Sequence, residues 1–293
     1  MIDATVVICT RDRPQQLARV LDALERQTVR AFEVIVVDDS DAGDARVPQR
    51  PGVRLTRGDI RGVSAGRNTG WRATSTPWMV CLDDDCVPDP DWLENLCAEI
   101  DRHPGIAMVW CRIDLGDAVV PRSRHSVPHS LSPVTQTRVV GGRWVRPSTM
   151  GMGIAAIDVD WVARVGGWDE RLGAGVPVFA GAEDIDFNWR VLRAGGRGLM
   201  TPAARVVHEQ SHTDEELVAL YDIRTTAWAG MCVKAFKSGD PLGGAWLYAF
   251  GVKDVLRFSL SPLRRRSRHR LALALAKWRG LVRGTWLAAR RSW

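Results

Sequence analysis

The chain has 293 residues, enough to bury a sizeable core and to form one large domain, or one domain with an appendage. Its 45% hydrophobic and 25% charged residues are ordinary for a globular protein, and no run approaches about 18 consecutive apolar residues, so no membrane-spanning helix is expected. Of the 40 Lys and Arg residues, 12 lie from Lys253 onward, with Asp254 as the one acid there among 34, so the tail carries +11 and the body −5. A polyanionic partner is therefore expected at the tail. The N-terminal apolar run is too short for a signal peptide and has no basic lead-in. The six cysteines (Cys9, Cys81, Cys86, Cys97, Cys111, Cys232) contain no Cys-x-x-Cys pair. They read as reduced thiols of a cytoplasmic protein.

Residues 5–9 (TVVIC) form an apolar, β-branched run that predicts a buried strand. Pro14 then opens a helical pattern with Leu17, Val20, Leu21 and Leu24 on one face. A second strand is predicted over 32–37, ending in Asp38, Asp39 and Ser40. Gly66 to Gly70 begins another helical segment. A third strand over 78–82 runs straight into Asp83, Asp84 and Asp85, and a helix follows from Pro90 to about Asp101. Strands alternating with helices predict a mostly parallel α/β sheet flanked by helices. Open sheets of this kind bind ligands beyond the carboxyl ends of their strands, and three such ends here are polar. Alternation along an extended segment puts Asp83 and Asp85 on one side and Asp84 on the other. Two carboxylates on one site suit a hard divalent cation holding a diphosphate. Neither a G-x-G-x-x-G fingerprint after the first strand nor a phosphate-binding G-x-x-x-x-G-K-[ST] loop occurs, so a metal is the expected substitute.

The ordered set VVICTRDRP, FEVIVVDDSD, AGRNTGW, CLDDDCVPDPDWL, GGWDERL and AEDIDFNWRV resembles glycosyltransferase family 2 of the GT-A fold, over roughly residues 3–212. The resemblance implies inverting transfer from a nucleotide-activated sugar with Mg²⁺ or Mn²⁺. By position it implies nucleotide-sugar contacts at Thr10, Arg13, Asp39, Arg67 and Asn68. It places the D-x-D element at Asp83 and Asp85, with Asp84 in the same element among the donor contacts and Asp85 the stronger metal ligand. Glu183 and Asp184 match the family's Glu-Asp pair, with Asp184 as general base. The chemistry needs such a group, because a sugar hydroxyl is a poor nucleophile until a carboxylate takes its proton. A helix start would equally favour acids there. His208 matches a late histidine that touches metal or diphosphate, and a hydrogen-bonded core histidine is the competing reading. Trp168 and Asp169 match an acceptor-side turn, against a core tryptophan at a turn. A carboxylate at Asp39 facing a pyrimidine N3–H favours a UDP or dTDP sugar over a GDP sugar.

Residues 112–149, rich in Arg, Ser, Pro and His, read as a surface loop or as a lid over the donor. The expected division is a catalytic domain over 1–225, with a nucleotide-sugar half to about 112 and an acceptor half beyond it. A basic, amphipathic helical extension follows over 226–293. Leu271, Leu275, Trp278, Val282 and Trp286 recur there at helical spacing. Such a stripe suits an anionic membrane surface, packing on the catalytic domain, or a homodimer contact. No nucleic-acid module is apparent. The overall expectation is a cytoplasmic transferase, peripheral on the inner membrane face if the tail docks there, acting on a glycan, lipid-linked or natural-product hydroxyl. A metal-dependent nucleotidyltransferase and a non-catalytic nucleotide-sugar-binding domain are the alternatives.

Overall fold

A computed structural model describes residues 3–29, 32–41, 50–58, 60–116, 134–142, 144–146, 153–209, 212–265 and 267–293. Most of the 112–149 loop lies outside them. Strands β1 (Ala4–Thr10), β2 (Glu33–Asp38), β3 (Val53–Arg57) and β4 (Trp78–Asp83) are parallel, in the order β3-β2-β1-β4. Helix α1 (Pro14–Glu25) joins β1 to β2, and α2 (Val63–Ala73) joins β3 to β4. The chain continues through β5 (Cys86–Pro88), α3 (Trp92–Arg102), β6 (Met108–Leu115), β7 (Arg138–Val140), β8 (Ala155–Asp158), α4 (Val159–Val165), α5 (Glu183–Arg193) and β9 (Gly198–His208). This second half of the sheet is mixed. β8 lies antiparallel between β4 and β6, β6 is parallel to β9, and the short β5 and β7 pair antiparallel with β9.

The first strands lack an apolar/polar alternation because both faces of the sheet are covered. Val7, Ile35, Val37, Met79 and Cys81 face a layer that includes Phe187 and Val191 of α5. Val6, Ile8, Val34, Val36, Val80 and Leu82 face Leu17, Val20, Leu21 and Leu24 of α1 and Trp92, Leu93 and Leu96 of α3. Helix α2 lies close on β1 because of its glycines. A side chain at Gly70 would overlap Val7, and one at Gly66 would come within 2.8 Å of the Cys9 sulfur.

Three helices follow: α6 (Asp214–Lys237), α7 (Pro241–Arg265) and α8 (Arg268–Ala289). Thr213 and Glu216 form a capping box at the start of α6. Residue 225, where the expected division falls, lies inside α6. Ala227, Met231 and Cys232 of the same helix are buried in the core with Phe179. Helix α8 packs on α6 through small residues, with Gly280 set against the Asp222 carbonyl and Gly284 against that of Thr226. No described helix is long and apolar enough to cross a membrane.

Candidate active site

The carboxyl ends of β1, β2 and β4 converge with the N-terminus of α5 and the end of β9. Asp83 ends β4, but Asp84 and Asp85 form a turn, so the alternation expected of an extended segment stops there. Asp83 takes one partner, while Asp84 and Asp85 share Arg13 and differ in the other. Asp83 accepts from Arg67 Nη2 at 3.3 Å. Asp84 is buried and accepts from Thr10 Oγ1 at 2.8 Å and Arg13 Nη1 at 3.1 Å, which pins the β1–α1 loop to the acidic turn. Burial raises its pKa to about 6, although the Thr10 hydrogen bond and the Arg13 charge act to lower it. Asp85 lies 3.2 Å from Arg13 Nη1 and 3.4 Å from His208 Nε2. Burial opposes its charge, but the hydrogen bond and charge of His208, with Arg13, lower its pKa overall. The pairing of β5 with β9 brings His208 there, because Cys86 stands opposite His208.

Asp85, Cys86 and His208 offer ligand atoms within 4.8 Å of one another. His208 Nδ1 is buried and has no hydrogen-bond partner. The Asp85 carboxylate and the His208 imidazole thus offer an oxygen and a nitrogen donor to one divalent cation. The Cys86 thiol, held protonated by burial, is a poor ligand. Asp83 is not part of this cluster among the described residues, because its carboxylate is turned to Arg67.

Arg67, on α2, is buried and bridges two elements: Nη2 donates to Asp83, and Nη1 to Glu183 Oε1 at 3.3 Å. Burial disfavours its charge, but Asp83 and Glu183 more than offset that and raise its pKa. Ala182 precedes α5 in the left-handed conformation, φ 63°, and the helix opens with Glu183 and Asp184 in its first turn. Burial, and next the Glu183 charge, raise the Asp184 pKa to about 7. That value suits a base working near neutrality. Asp39, at the end of β2, accepts from the Gly62 N–H at 2.9 Å and so holds the start of α2. Gly62 has φ 115°, a conformation that favours glycine.

Three residues expected to contact ligand have protein partners in this structure. Asn68 is buried; its amide group donates to the Trp168 carbonyl and to Glu170, both at 2.9 Å, and its oxygen accepts the Trp168 N–H at 2.8 Å. No donor is left for a nucleotide. Trp168 is buried and stacked on Phe187, with ring centroids 4.1 Å apart, so that ring face is not open to a sugar. Asp169 accepts from Arg171 at 2.8 Å and from Lys234 Nζ at 2.6 Å, and despite burial these cations drive its pKa well below the usual range. Lys234 also binds Asp186 at 2.7 Å. Residues matching the family's acceptor-side turn thus anchor α5 and α6.

Arg224 of α6 was not singled out in the sequence. Half-buried, it faces Glu183 and Asp184 and makes no hydrogen bond or ion pair among the described residues. Burial lowers its pKa, and the two carboxylates only partly offset this. Nothing local in the sequence marks it, because helix packing brings it to the cleft from 40 residues downstream of the acidic pair.

A parallel half-sheet joined to a mixed half, with the acidic turn at their seam, is the GT-A arrangement. Residues 5–155 match the model described as Glycosyl transferase family 2, and the chain belongs to that family. The pre-mycofactocin glycosyltransferase of Mycobacterium tuberculosis is 30% identical over 213 residues, covering 71% of this chain. The chain spans 43% of that relative's length. An uncharacterized glycosyltransferase of Haemophilus influenzae is 23% identical over 193 residues, 64% of this chain and 62% of its own. Among solved structures, the mannosyltransferase PcManGT from Pyrobaculum calidifontis in complex with GDP-Man and Mn²⁺ aligns with a TM-score of 0.62 at 17% identity, over 99% of this chain and 89% of that one. GalNAc-T7 with UDP, GalNAc and Mn²⁺ aligns at 0.55 and 18% identity, over 78% and 50%. These likenesses establish the fold, and family membership favours sugar transfer over nucleotidyl transfer or a non-catalytic binding domain.

Proposed function

We propose that the chain transfers a sugar from a nucleoside diphosphate donor to an acceptor hydroxyl with inversion at the anomeric carbon. The observation that carries this reading is the Arg67 bridge. It joins Asp83, at the end of β4 beside the Asp84–Asp85 turn, to Glu183, the sequence neighbour of Asp184, which supports reading the two acidic motifs as one site. Asp85 and His208 would hold Mg²⁺ or Mn²⁺, which on binding offsets charge on the leaving diphosphate. Thr10 and Arg13 line the donor side, and the second carboxylate oxygen of Asp39 suits a pyrimidine N3–H. A UDP or dTDP sugar is therefore favoured over a GDP sugar. Asp184 takes the acceptor proton as the hydroxyl oxygen bonds to the anomeric carbon. The bond from that carbon to the diphosphate breaks on the opposite face, and its electron pair leaves with the diphosphate. Arg224 is placed to set the charge around Asp184.

The test is incubation with UDP-, dTDP- and GDP-sugars and Mn²⁺ without acceptor, following nucleoside diphosphate release. Slow release from a UDP or dTDP sugar, lost in Asp184→Asn, is expected. No release from any donor, or equal release by the variant, would overturn the reading.

A further inference from the structure

The tail stripe does not face the protein. Leu271, Leu275, Trp278, Val282 and Trp286 are between 38% (Trp278) and 65% (Val282) exposed. Helix α8 buries its opposite face on α6, through Leu273, Ala276, Gly280, Leu281, Gly284 and Ala288. At 100° per residue the five exposed side chains fall within an arc of roughly 80°. Scattered exposed apolar residues are ordinary; five in line over four turns are not. On α7, Leu256 and Leu260 are also exposed, next to exposed Lys253 and Arg257. The Trp278 indole N–H donates to Ser259 Oγ at 2.9 Å, fixing that ring at the seam between the two helices.

Charge selects the occupant. Residues 255–293 contain 11 Lys and Arg and no acid. Arg268, Arg279, Arg283 and Arg290 run along one edge of the stripe. Arg279 and Arg283 share the single carboxylate of Asp222 and stay more than half exposed, so positive charge is left over. Arg290 lies over the Trp286 ring, 3.8 Å from its centroid. A second copy of this face would bring arginine rows together with no acid between them. Nucleic acid would meet the arginines but leave the leucines in water. We propose that the exposed face of α7 and α8 seats the protein on an anionic lipid surface. The apolar stripe enters the headgroup boundary and the flanking arginines meet lipid phosphates. Donor chemistry plays no part in this inference.

The test is co-sedimentation of the full chain with phosphatidylcholine vesicles, with and without phosphatidylglycerol, at low and high NaCl, together with tryptophan fluorescence. Binding is expected to need phosphatidylglycerol, to blue-shift the emission, and to weaken with salt, since free charges are screened over about 8 Å at physiological ionic strength. The double variant Leu275→Ser/Val282→Ser should weaken vesicle affinity by at least about tenfold, because it removes exposed apolar area only. Arg268→Gln/Arg290→Gln should cost about fivefold per residue. Both variants should keep the melting temperature and donor hydrolysis of the parent. Equal binding to neutral vesicles, no binding to either, or unchanged affinity in both variants would overturn the proposal. So would a dimer by light scattering that both ignores vesicles and dissociates in Leu275→Ser/Val282→Ser; that result would assign the face to a second copy.

Discussion

Two clusters of charge sit within one helix length of each other and are built in opposite ways. Around Lys234 the ion pairs are short, 2.6 Å to Asp169 and 2.7 Å to Asp186, and Arg171 and Arg190 take the remaining carboxylate oxygens. Around Arg67 the contacts stretch to 3.3 Å, Arg224 has no hydrogen-bonding partner among the described residues, and an imidazole nitrogen of His208 is buried without one. In the first cluster every carboxylate oxygen is paired, and Arg190 Nη2 is the donor left buried without a hydrogen-bond partner. The second keeps donors, acceptors and a raised carboxylate pKa in reserve. An acidic motif in a sequence marks both kinds alike; completeness of pairing separates them.

Substitutions should split along that line. Asp184→Asn should lose roughly two to four decades of kcat with little change in donor affinity, measured by single-turnover kinetics and calorimetry. Lys234→Met should do the reverse. It leaves two buried acids short of a cation and should cost about 3 kcal/mol of stability by urea unfolding. Loss of activity without loss of stability would move Lys234 into the reacting group. Asn68→Ala strands the Trp168 backbone groups and should cost about 1–3 kcal/mol, with donor affinity unchanged at temperatures where the variant is folded.

Smaller effects should appear with pH. Because the folded-state pKa of Asp184 is raised, its ionisation destabilises the fold: the cost is absent below the ordinary carboxylate range and grows as pH rises to about 7. Asp184→Asn should therefore melt higher than the parent at pH 8 and with it at pH 4. Arg224 favours the ionised form of Asp184, so Arg224→Gln should move the acidic limb of the rate profile to higher pH and slow turnover roughly tenfold. An unmoved limb would make Arg224 a packing residue.

What the sequence made legible follows from local physics. β1, β2 and β4 stand out because buried parallel strands read as unbroken apolar runs. The polar ends of those strands fall where an open sheet binds ligands, which led to the acidic turn with Asp85; Arg67 and Asp184 came from the family resemblance. Side-chain direction was not legible. Asp83 and Asp85 part company because a turn replaces the extended backbone after Asp83. Arg67 and Asn68 are sequence neighbours, but about 100° of helix rotation turns one to the cleft and the other to the 168–170 turn. β8 is four residues long and too small a signal to reveal the antiparallel strand in the middle of the sheet. In α8 the conspicuous leucines and tryptophans mark the exposed side, whereas the packing face is written in glycine and alanine.

Helix α6 has a consequence for protein engineering. It carries Arg224 on the wall of the cleft, and it also supplies the Asp222–Thr226 backbone against which Gly280 and Gly284 of α8 are fitted. The tail is therefore not an exchangeable cassette. A chimera spliced at 225/226 cuts through a continuous helix and separates Arg224 from Ala227 and Met231, which anchor that helix in the core. A junction before the Thr213 cap, with α6, α7 and α8 moved together, keeps that unit whole. Grafting α8 alone onto a homologous transferase brings Gly280 and Gly284 with it and requires a recipient α6 that is equally small at the positions of Thr225, Thr226 and Ala229, since a larger side chain there would push the two helices apart.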